Sequence, residues 1–108
     1  MIDKINFTAR VGFYSTLHKK PAQLAGRMDN ISRLFEGKTK NSDSRLIVEA
    51  DEGRKNDRFE LYNYNYKEHL GSYVAPFSSV LAHLSDDEAA NELSGILNTM
   101  EACMGEQE

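Results

Sequence analysis

A single cysteine, Cys103, in 108 residues excludes an internal disulfide and any zinc site built on several thiolates. Apolar runs are short as well. None approaches the roughly 18 residues of a membrane-spanning helix, and the opening "MIDKINFTARVGF" mixes polar with apolar residues instead of forming a signal-peptide core. The expectation is a protein with no membrane span that makes no use of a Sec-type route and works in the reducing cytoplasm. Glycines stand singly at positions 12, 26, 37, 53, 71, 95 and 105, so no cluster of backbone amides is available to cradle a nucleotide phosphate. HExxH, CxxC and carboxylate-rich calcium loops do not occur, so neither a metal site nor a cofactor is expected.

Positive charge is missing from the carboxy-terminal stretch and negative charge is scarce in the amino-terminal one. Ser85 to Glu108 holds seven acids and no Lys or Arg, whereas residues 1–40 hold eight basic residues against three acidic ones, a net of +5. The whole chain nets −4, so the remainder carries −9. Opposite charge at two ends helps a small domain close on itself, and it equips the surface to dock on a charged partner. A chain of this length with 40% hydrophobic and 28% charged residues has room for one modest core, so residues 1–108 are expected to form a single domain.

Periodicity supplies the architecture. In "INFTARVGFYSTL", residues 5–17, Ile5, Phe7, Ala9, Val11, Phe13 and Leu17 share one parity against Asn6, Thr8, Arg10, Tyr14 and Thr16, the pattern of a half-buried strand that Gly12 allows to bend. The period then changes. Leu24, Met28, Ile31 and Leu34/Phe35 recur at helical spacing between Pro21 as a first-turn residue and Gly37 as a stop, with Gly26 inside the helix at a cost of about 1 kcal/mol. "RLIVEADEGRKNDRFELYNYNY" predicts two strands around a charged turn at Gly53, with Leu46, Val48, Ala50, Phe59 and Leu61 inward, and "HLGSYVAPF" a short edge strand before Pro76. "SSVLAHL" predicts a helical turn capped by Ser78 or Ser79. "SDDEAANELSGILNTMEACM" opens on a capping box, Ser85 to Glu88, and carries a stripe of Ala89, Leu93, Ile96/Leu97, Met100 and Cys103/Met104, which places the thiol in the core. The order β-α-β-β-(β)-α-α predicts a two-layer α+β fold: an antiparallel sheet of three to four strands with helices on one face.

Candidate chemistry is sparse. His18 ends the first strand, His69 follows Glu68 in a turn, and His83 falls in the short helix. An enzyme would need Glu68, His69 or His83 to converge in three dimensions, and no catalytic residue is assigned. Nucleic-acid binding would draw on the basic amino-terminal half, Arg10, Lys19, Lys20, Lys38 and Lys40, with Tyr14 stacking on a base, but the acidic remainder would repel a phosphate backbone. The conspicuous feature is aromatic. If Phe59 and Leu61 point to the helices, Tyr62, Tyr64 and Tyr66 point away from them, beside Tyr14 and Arg10 of the first strand, onto a face that no helix remains to cover. A bulge near Leu61 would instead turn the tyrosines inward, or they would lie flat on the sheet with their hydroxyls in water. The leading expectation is a non-enzymatic protein of inhibitor, adaptor or chaperone type that binds another protein, or a second copy of itself as a homodimer, through Tyr14, Tyr62, Tyr64, Tyr66 and Arg10.

Overall fold

The computed structural model describes residues 9–15, 26–39, 42–50 and 55–105. Strand β1 (Arg10–Ser15) leads to helix α1 (Met28–Lys38), strands β2 (Arg45–Ala50), β3 (Asp57–Tyr62) and β4 (His69–Ala75), a 3₁₀ turn at Leu81–His83 and helix α2 (Asp86–Gly105). The sheet order is β1-β2-β3-β4. This is the expected α+β arrangement, with one correction: the sheet is mixed. β2, β3 and β4 form an antiparallel meander, but β1 and β2 run parallel. The physical reason is α1, because a helix that crosses the sheet between two neighbouring strands returns the chain to the end where the first strand began.

Alternation decides which sheet face is buried. β2 buries Leu46, Val48 and Ala50, β3 buries Phe59 and Leu61, and β1 contributes Phe13. Against them α1 sets Ile31 and Phe35, and α2 sets Ala89, Ala90, Leu93, Leu97 and Met100. Phe77, for which periodicity predicts nothing, fills the centre: its ring stacks on Phe13 at 6.4 Å and meets Phe59 edge-on at 6.3 Å. Such pairs add about 0.5–1.5 kcal/mol to the burial of the rings themselves.

Both glycines assigned to α1 play other parts. Gly26 precedes the helix at φ +75, a left-handed backbone that costs an ordinary residue about 1–2 kcal/mol. Helix α1 starts only after it. Gly37 does not stop the helix, which continues to Lys38 and ends at Thr39. The Thr39 hydroxyl donates to Phe35 O at 2.9 Å and accepts from the Ala9 amide at 3.1 Å, tying the end of α1 to the start of β1. The strand residues expected before Ala9, together with Thr16, Leu17, His18, Pro21, Leu24 and the Gly53 turn, lie outside the described residues.

The α2 capping box forms as expected. Ser85 Oγ accepts from the Glu88 amide at 3.1 Å, and Glu88 Oε1 accepts from the Ser85 amide at 2.9 Å. Arg27 then ties α1 to this corner, donating to Asp86 Oδ1 at 2.5 Å, Leu81 O at 2.9 Å and Leu84 O at 2.6 Å. Cys103 is exposed, contrary to the expected stripe. A helix of 20 residues spans about 30 Å, whereas six-residue strands cover about 20 Å, so its final turns overrun the core. The serine cap is corrected too. Ser78 serves Asp57, which is buried at 1% exposure and accepts from the Ser78 amide at 2.7 Å and its hydroxyl at 2.8 Å, while Ser79 Oγ donates to Lys55 O.

Candidate functional site: the open face of the sheet

Among the described residues, helices cover one face of the sheet and leave the other bare. The strand registers arrange that bare face in three rows, Tyr14–Glu49–Arg58–Val74, Gly12–Ile47–Glu60–Ser72 and Arg10–Arg45–Tyr62–His69. Tyr14, 59% exposed, lies back along its own strand. A Cβ built on Gly12 would stand 3.4 Å from both the Tyr14 ring and Ile47 Cδ1, at ordinary van der Waals contact, so the ring packs directly over the glycine. An open hollow of about 540 Å³ lies over this part of the sheet, lined by Tyr14, Ile47, Glu49, Tyr62 and Tyr66.

The tyrosines reach the hollow by different routes. Strand alternation carries Tyr62, which is half-buried, but β3 ends there, and Tyr64 and Tyr66 belong to the turn. That corrects the expectation of three tyrosines alternating along one strand. In the turn, Asn63 donates its amide to Glu68 O at 3.0 Å, and its side-chain oxygen accepts from the amides of Lys67 and Glu68. Tyr66 sits at φ +62 with its amide bonded to Asn63 O. This left-handed conformation is unfavourable for a bulky residue, and it accompanies a ring placed 6.0 Å from that of Tyr62. Tyr64, 55% exposed, does not line the hollow. The register of β3 and β4 shifts at the Leu61/Tyr62 step, where Leu70 is the extra residue on β4, but the alternative of a bulge that turns the tyrosines into the core is not realised, since Tyr64 and Tyr66 are exposed. Arg10 shares the face, in the row of Tyr62.

Beneath the aromatic patch is a polar cluster that sequence reading misses. Glu60 points to the open side yet is only 7% exposed. Its Oε1 meets His69 Nε2 at 2.5 Å and accepts from Ser72 Oγ at 2.5 Å, while Oε2 pairs with Arg58 Nε at 2.6 Å. Burial opposes ionisation here, but the hydrogen bonds from Ser72 and His69 and the charges of Arg58 and His69 outweigh it, so the carboxyl is held below its ordinary range. The signal in the sequence is a glutamate at the outward position between the inward Phe59 and Leu61 of one predicted strand. Its partners came from a register that no local pattern specifies.

Ser72, His69 and Glu60 invite comparison with a nucleophilic triad, and the geometry differs in the essential point. In a triad the imidazole stands between hydroxyl and carboxylate and takes the hydroxyl proton. Here Ser72 Oγ donates to Glu60 Oε1 at 2.5 Å and lies 3.5 Å from His69 Nε2, the same nitrogen that meets Oε1, so the imidazole does not stand between hydroxyl and carboxylate. Of the sequence candidates for acid/base work, His69 is on β4 rather than in the turn, Glu68 is exposed in the turn, and His83 is exposed on the 3₁₀ turn of the helical layer. They do not share a site. Among the described residues no group of three or more His, Cys, Asp or Glu is placed to hold a metal, and no helix is long and apolar enough to cross a membrane. Of the basic residues considered for nucleic acid, Lys19, Lys20 and Lys40 lie outside the described residues, and Lys38 is on α1, paired with Asp87 at 2.9 Å.

No protein-family model, curated protein or solved structure matches the chain.

Proposed function

We propose that the protein acts without catalysis, by binding another protein on the open face of its sheet, as an inhibitor, adaptor or chaperone does. The observation that supports this reading is the meeting of Tyr14, Tyr62 and Tyr66 from two strands and a turn around one solvent-open hollow floored by Ile47. Tyrosine and arginine are the residues enriched at protein interfaces, since they combine large contact area with a polar handle at low entropic cost. Arg10, Arg45 and Glu49 stand on the same face and supply a polar rim. Beside the hollow, the Glu60 cluster cross-links β3 to β4 through side chains on the same face. A cytoplasmic setting is part of the proposal, since a lone exposed cysteine with no disulfide partner in the chain suits a reducing compartment.

Affinity capture from the native cell tests the proposal. Tyr14→Ala combined with Tyr66→Ala is expected to abolish recovery of the partner while circular dichroism stays unchanged, because both rings are largely exposed in the free chain. Tyr64→Ala serves as the internal control and is expected to leave capture intact. Undiminished capture by the double variant would remove the face from consideration.

A further inference from the structure

We propose that the free edge of β4 pairs with the same edge of a second copy of the chain, antiparallel and centred on Ser72, joining two sheets into one of eight strands. Among the described residues the sheet ends at β4, so one side of His69–Ala75 presents unpaired backbone groups. Edge strands invite such pairing unless charge, proline, a bulge or a covering element prevents it. Between His69 and Ala75 there is no Lys, Arg, Asp or Glu, and the first proline is Pro76, just past the strand. The bulge at Leu70 lies at one end and leaves Gly71–Ala75 regular.

What β4 exposes also matches itself. Leu70 is 39% exposed, Tyr73 39% and Val74 61%. With Ser72 opposite its own copy, the two strands overlap from His69 to Ala75, with the register shift at Leu70 falling near either end of the pair. Each Leu70 then lies opposite a Val74, and each Tyr73 ring lies across from Gly71, whose bare Cα leaves room for it. Neighbouring registers lose these pairs. Centring on Gly71 sets Val74 against Glu68, and centring on Tyr73 sets Leu70 against Pro76, beyond the strand. With Ser72 centred, His69 lies opposite Ala75 and no Lys, Arg, Asp or Glu stands on the strand, so the pair sets no like charges directly opposite each other, which favours a second copy over a charged peptide.

Symmetry adds a consequence. A two-fold axis through a residue pair stands perpendicular to the sheet, so both tyrosine faces emerge on the same side of the dimer. The edge inference is independent of what binds that face, but it makes the face bivalent.

The test is the mass of the full chain in solution, by light scattering and sedimentation over a range of concentrations. The expected parent has twice the mass of one chain, and Val74→Lys halves it with no change in circular dichroism. In a Cys103→Ser background, Ser72→Cys is expected to form a covalent dimer on oxidation and Val74→Cys is not, since only Ser72 faces itself. A parent that has the mass of one chain even at the highest attainable concentration overturns the proposal. So does a dimer that persists in Val74→Lys and shows no cross-link through Ser72→Cys, or one that dissociates on Tyr14→Ala but not on Val74→Lys.

Discussion

The carboxylate of Glu60 and the imidazole of His69 meet at 2.5 Å across β3 and β4, on the side of the sheet that no helix covers among the described residues. Because the folded protein holds the Glu60 carboxyl below its ordinary value of 4.5, its contribution to stability is complete above that value and is lost as the pH falls through the lower folded value. Asp86 behaves in the same direction, held down by hydrogen bonds from Asn30 and Arg27. Denaturant unfolding followed from neutral pH to below 4 is therefore expected to show a loss of stability on the acid side, and Glu60→Gln is expected to make that loss shallower. An unchanged acid profile in the variant would mean that the Glu60 carboxyl titrates alike in the folded and unfolded chain.

Leu97 is 1% exposed between α2 and the sheet. Its replacement by alanine is expected to cost about 2–5 kcal/mol, the range for a buried leucine whose neighbours close only partly over the cavity. Chemical denaturation measures it. A cost below about 0.5 kcal/mol, the level of surface substitutions, would be incompatible with the packing described.

Cys103, exposed on the last turns of α2, is expected to react with a thiol reagent in the native protein at a rate near that of the denatured chain. Cys103→Ser is expected to change stability by no more than about 0.5 kcal/mol. Strong protection of the thiol would contradict its placement.

Asp57 and Ser78 form the anchor that turns the chain from β4 towards α2. Ser78→Ala removes one donor from a buried carboxylate and is expected to cost about 1–3 kcal/mol in unfolding experiments. Ser79→Ala, at an exposed contact with Lys55 O, is expected to cost less than half as much and provides the comparison. Equal costs at the two positions would show that Asp57 does not depend on Ser78.

Much of the layer structure is legible in the residues alone because burial obeys short periods. Leu46, Val48 and Ala50 alternate, as do Phe59 and Leu61, and all five are buried. Ala89, Leu93, Leu97 and Met100 recur at helical spacing and form one buried stripe. The Ser85 to Glu88 capping box is equally local, since donor and acceptor lie three residues apart. Gly26 and Gly37 depart from the expected roles because a glycine's part depends on its backbone angle, which the residue type alone leaves open.

Periods of two and 3.6 thus determined which side of each element is apolar, and that was enough to place two helices on one face of a sheet and leave Tyr14 and Tyr62 on the other. Tertiary structure decided the relations between distant segments: the parallel pairing of β1 with β2, Phe77 between Phe13 and Phe59, and Ser78 on Asp57. It also decided that Tyr66 joins Tyr62 while Tyr64 does not, and that Glu60 is buried among Arg58, His69 and Ser72. The physical reason is that side-chain direction within a strand or helix is set by backbone geometry over a few bonds. Register between strands, and the path of a turn, are instead set by the total packing of segments that lie far apart in the chain.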